Sequence, residues 1–143
     1  MLGALAWAAL GCGTAAQAPA DAGTPDTGAP ATFTEIYPLL WPRATKAQCD
    51  FCHSLPPNQK SNGLLSTGAT QATAYAALVG VTSKSLACSG KQYVVAGKPD
   101  DSLFLTKMTT PPCGDRMPLG GDPLTAEQLS MIRSWILAGA LNN

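Results

Sequence analysis

The sequence has a single histidine, His53, among 143 residues. Within this chain, that excludes chemistry needing one imidazole as a ligand and another as an acid–base group. Charge is also scarce. Asp, Glu, Lys and Arg make up 13% of the residues, and nine bases balance nine acids. A neutral chain lacks the basic excess that phosphate backbones demand, so nucleic acid is excluded as a partner. No Lys or Arg precedes Arg43, and the apolar run at residues 1–11 is too short to cross a bilayer. Low charge combined with 45% hydrophobic residues excludes a disordered chain and implies a sizeable core.

What is present divides into three parts. Residues 1–12 read as a signal segment that ends in Ala9-Leu10-Gly11-Cys12. This resembles a bacterial lipobox, with Cys12 as the site of lipidation and membrane attachment, although the basic residues that normally open a signal are missing. The alternative is an ordinary signal cleaved near Ala15-Ala16. Residues 13–32 are rich in Ala, Gly, Pro and Thr and read as a flexible linker. Residues 33–143 form one domain with nine bases and seven acids, net +2.

The periodicity in that domain is mostly helical. Phe33, Ile36, Leu40 and Trp41 share one face of a first helix, with Thr34 as its cap, Pro38 in its first turn and Pro42 as its stop. A second helix is expected over residues 70–79, ending at Gly80. Tyr93 to Val95 reads as a short extended piece before a turn at residues 97–100. Asp100 or Asp101 is the expected cap of a third helix running to Met108. Thr125 and Gln128 form a capping box for a last helix carrying Leu129, Ile132, Trp135 and Ile136, with Gly139 and Asn142 as stop signals. The expected class is all-α.

Cys49-Asp50-Phe51-Cys52-His53 is a Cys-x-x-Cys-His motif, the attachment signature of a c-type haem. Two thiols three positions apart lie on one helical turn, where they can add to two vinyl groups along one porphyrin edge. His53 follows at once and presents its imidazole to the iron. Two other uses of paired cysteines compete with this one. One makes Cys49 and Cys52 half of a zinc site completed by Cys88 and Cys113, but zinc sites usually combine two close-spaced pairs. A thioredoxin-like pair would want flanking βαβ units, which are absent. Methionine is the natural candidate for a second axial ligand, since no second histidine exists and a thioether suits an electron-transfer haem. Met117 lies in a loop dense in Gly and Pro where helix packing does not require it. Met108 is the second choice, Met131 sits beside a buried stripe, and Met1 belongs to the leader.

In this order the motifs resemble a class I cytochrome c-like domain over residues 33–143. The resemblance rests on Cys49 to His53, on Ser102-Leu103-Phe104-Leu105, on Pro112-Cys113-Gly114, on Arg116-Met117-Pro118, and on Ile132, Trp135, Ile136, Gly139 and Ala140. It implies a small fold of three to five helices around a haem slot, with the first and last helices crossing near the attachment site. It also implies Met117 as iron ligand and a carbonyl in the Pro56-Pro57 turn accepting the His53 ring N–H. Cys88 and Cys113 remain, and in an exported domain they are expected to form a disulfide, the alternative being two buried free thiols. Closing that loop would add about 3 kcal/mol in the chain-entropy model. Tyr75, Leu78, Tyr93, Val95, Phe104 and Trp135 are candidates for the apolar shell, and Arg116 for a propionate partner.

The expected function is electron transfer through one covalent haem c with His53 and Met117 as axial ligands. The expected location is extracytoplasmic, in the periplasm, with a redox protein as partner. Two alternatives remain: a peroxidase-like haem enzyme, which would need an open iron position, and a haem-free interaction domain stabilised by zinc or a disulfide.

Overall fold

The computed structural model describes residues 28–41, 49–54, 61 and 64–143. Cys12, residues 13–27 of the linker, Pro42 and the Pro56-Pro57 turn lie outside the described residues. The described residues are helix-rich, with five α-helices and no strand. Two isolated bridges, Val79 with Val94 and Thr82 with Gln92, account for the extended piece at Tyr93 to Val95.

Helix α1 spans Phe33–Leu40. Its cap is Thr32, two residues before the expected Thr34. The Thr32 hydroxyl accepts the Glu35 N–H at 3.2 Å, and Glu35 accepts the Thr32 N–H at 2.7 Å. Thr34 instead donates its hydroxyl to the Asn143 carbonyl at 2.6 Å, a long-range bond that local pattern does not reveal. The earlier start also moves Pro38 out of the first turn and into the helix interior. The expected stripe of Phe33, Ile36, Leu40 and Trp41 is fully buried.

Helix α2, Cys49–His53, consists of the five motif residues alone. Helix α3, Gln71–Leu78, is capped by Thr70 and ends just before Gly80, which sits at φ +71°. Helix α4, Leu103–Met108, begins after Ser102, not after either aspartate. Asp100 and Asp101 are taken up in a 3-10 turn, Pro99–Asp101, that brings the buried Ser102 hydroxyl to its partners. That hydroxyl donates to the Lys98 carbonyl at 2.8 Å and accepts the Val95 N–H at 2.9 Å, as a buried polar group must. Helix α5, Ala126–Leu137, starts at the expected Thr125–Gln128 box. It ends at Gly139, φ +105°, where the Gly139 and Ala140 N–H groups bond back to Ile136 and Trp135.

Helix α1 packs on α5 and α3, and α4 packs on α5. The Phe33 ring stacks on Trp135 at 5.0 Å and meets Tyr75 edge-on at 5.5 Å. Asn143 accepts the Phe33 N–H with its side chain and the Thr34 N–H with its carbonyl, so the last residue satisfies the open end of α1. Replacing Thr32 with Ala should lower stability by about 1 kcal/mol, while T32S should retain most of it. Urea unfolding midpoints of the two variants measure the difference.

Candidate cofactor site

The Cys49–His53 helix is too short to hold itself, and its hydrogen bonds show what holds it. The Asp50 N–H donates to the Trp41 carbonyl at 3.4 Å, tying the start of α2 to the end of α1. At the other end, the Ser61 N–H donates to the Cys52 carbonyl at 3.0 Å, and the Thr67 N–H to the His53 carbonyl at 2.8 Å. Thr67 is fully buried, and its hydroxyl works in both directions. It accepts the Trp41 indole N–H at 2.7 Å and donates to the His53 carbonyl at 3.0 Å. Nothing local in the sequence distinguishes Thr67, because its partners lie 26 and 14 residues away.

The His53 ring faces the Leu65 carbonyl, with Nδ1 3.1 Å from the oxygen. A carbonyl can only accept, so Nδ1 carries the proton and Nε2 keeps its lone pair. This acceptor differs from the expected carbonyl of the Pro56-Pro57 turn. The Ser61 and Thr67 bonds return the chain alongside α2, which brings Leu65 next to the ring. The same oxygen accepts the Ser61 hydroxyl at 2.9 Å, and the neighbouring Leu64 carbonyl accepts the Tyr93 hydroxyl. A backbone acceptor carries no residue signature, so only the fold could identify it.

Burial holds the His53 pKa below its ordinary value, partly opposed by the bond to Leu65. The imidazole is therefore neutral near pH 7, the form that binds metals. Cys49 and Cys52 are free thiols, both half-buried. Burial, and then the Asp50 carboxylate, push the Cys49 thiol up to about 12. A thioredoxin-like nucleophile needs the opposite shift.

Cys88 and Cys113 form a disulfide, with S–S 2.06 Å and Cα–Cα 5.6 Å. The bridge removes both sulfurs from any four-thiolate zinc set, and no group of three or more potential metal-binding His, Cys, Asp or Glu side chains occurs among the described residues. Met117 is half-buried in the loop that follows Cys113, and its N–H donates to the Lys107 carbonyl at 2.8 Å. Met108 is buried in the core and Met131 is half-buried against it. Cys49 and Met117 pack against the same core cluster. Of the expected shell, Leu78, Tyr93 and Trp135 are buried, while Tyr75, Val95 and Phe104 are half-buried. Arg116 is exposed.

The donor set fits a c-type haem. It offers two unpaired thiols on one helical turn, a neutral imidazole with a free Nε2, and a thioether packed on the same core. No protein-family model, curated protein or solved structure matches the chain, so the chemistry of the site rests on its own residues.

The His53 shift has a consequence for the cofactor-free chain. The fold disfavours the imidazolium, so the unfolded chain takes up a proton more readily. Stability is then complete above the ordinary histidine pKa of about 6.5 and falls as pH drops through and below it. Glu35 and Asp100, held low by Thr32 and Arg133 respectively, act only in the more acidic carboxylate range. Urea midpoints between pH 7.5 and 5.0 should therefore decline, and H53Q should flatten that slope.

Proposed function

We propose that this domain transfers single electrons through one covalently attached c-type haem in a class I cytochrome c-like fold. Cys49 and Cys52 would attach the haem through thioether bonds, and His53 and Met117 would hold its iron. The observation that carries this reading is the contact of His53 Nδ1 with the Leu65 carbonyl. The only histidine in the chain sits inside a Cys-x-x-Cys-His helix, with Nδ1 occupied by the Leu65 carbonyl and Nε2 left to bind a metal.

The bound haem would supply a reversible one-electron couple, and the residues of the chain govern its surroundings. The Leu65 carbonyl fixes the ring orientation and raises the electron-donating power of the imidazole. Thr67 and Ser61 hold the helix that carries the ring, so the imidazole does not swing when charge changes. The core beside Cys49 and Met117 keeps water and its reorganisation away. A thioether as the second ligand would favour a higher potential than a second imidazole.

The Cys88–Cys113 disulfide supports an oxidising, extracytoplasmic setting, consistent with a periplasmic protein. Membrane attachment through a lipid on Cys12 completes the proposal, with a redox protein as partner. A domain near neutrality once two haem propionates offset its net +2 would meet that partner with little electrostatic steering.

The test is expression with a haem-attachment system followed by absorption spectroscopy. The purified chain should show a Soret band that survives denaturation and extraction, with a low-spin spectrum. M117A should lose the weak ferric band near the red end that reports sulfur ligation. A C49S/C52S double variant should lose covalent haem. Colourless wild-type protein from the same cells would overturn the proposal, and unchanged ligation in M117A would remove Met117 from it.

A further inference from the structure

Lys107 stands in the last turn of α4, where a base is ordinary. Its bonds are less ordinary. The ammonium donates to the carbonyls of Cys113 at 2.9 Å and Asp115 at 2.5 Å, and the Lys107 carbonyl accepts the Met117 N–H at 2.8 Å. Three bonds from one residue therefore reach from one end of the 113–117 segment to the other.

The base of this clamp is firm. Leu103, Leu105 and Met108 bury α4 in the core, and the helix packs on α5. Between the two carbonyls lies Gly114, at φ +57°, where an added Cβ would stand 3.2 Å from the Lys107 Nζ. Glycine there suits both the left-handed turn and the close approach of the amine. The Cys88–Cys113 bridge fixes the same loop, but only at its first residue and only through a side chain.

We propose that Lys107 is the positioning residue for Met117, holding the loop so that the thioether stays on the iron. This rests on the haem reading above. A neutral thioether is a weak ligand, and its persistence depends on how hard it is for the loop to swing away. Swinging away would require the Met117 N–H bond and both ammonium bonds to give together. Hydrogen bonds to a charged group are about twice as strong as neutral ones, so the clamp slows that motion.

The experiment follows the ferric holoprotein in stopped flow as added imidazole displaces the sulfur ligand, read from loss of the red-end band. K107M keeps the apolar stem and removes the donors. It should displace about tenfold or more faster, because each lost charge-assisted bond weakens the closed loop. Haem content and Soret intensity should not change. K107R retains charge and donors and should recover part of the wild-type rate. If K107M does not accumulate, G114A carries the same test, since its Cβ crowds the amine while Lys107 remains, and it too should speed displacement. Wild-type rates in K107M, or in G114A where that variant stands in, would overturn the role of Lys107 while leaving Met117 as ligand. If the wild-type protein has no sulfur band to displace, the ligand assignment itself fails, and this inference with it.

Discussion

The stack of Phe33 on Trp135 is the contact on which the rest of the domain depends. Both rings are buried to within about one per cent of their surface, and they join the first and last helices. Asn143 closes the same junction by bonding the first N–H groups of α1. With α1 held there, its far end delivers Trp41 to a fixed place. The Trp41 ring stacks on Tyr37 and Phe104, and its indole N–H meets Thr67. Thr67 then holds the His53 carbonyl. An aromatic contact between α1 and α5 is thus linked, through two hydrogen bonds, to the backbone of the only histidine.

That chain of dependence explains what could be read from the sequence and what could not. Features written in neighbouring residues were legible: the Thr125–Gln128 capping box, the buried stripe of α1, the stop at Gly80 and the helical turn of the Cys49–His53 motif. Errors came where a distant partner decided between local options. Thr34 and Thr32 are equally good caps by type, but the Asn143 carbonyl takes the Thr34 hydroxyl. Asp100 and Asp101 are good caps too, but burying the Ser102 hydroxyl required a 3-10 turn that consumed them. Asp100 serves a different purpose, pairing with Arg133 at 2.8 Å across to α5.

The site divides along the same line. Its two thiols and its imidazole lie within a five-residue stretch, so a motif shows them. The groups that hold those donors do not. The Leu65 carbonyl is backbone and has no letter of its own. Thr67 and Lys107 are common residue types whose role depends on where the fold carries them. The Cys88–Cys113 pairing lay between these cases. Elimination among the cysteines suggested it, and the fold brings the two Cα atoms to 5.6 Å.

The two proposed iron ligands are held in different ways, and the difference matches their ligand strength. An imidazole binds iron well once its tautomer is set, so a carbonyl and two hydroxyl-bearing neighbours suffice for His53. A thioether binds weakly and must be held by the cost of moving its loop. The loop carrying Met117 accordingly has the stronger restraints, a covalent bridge at Cys113 and a charged amine along its backbone. A protein that only bound haem would have little use for restraint on the weaker side. Under the proposed function the domain would have one, because a ligand that stays in place through both oxidation states would keep the reorganisation accompanying each transfer small.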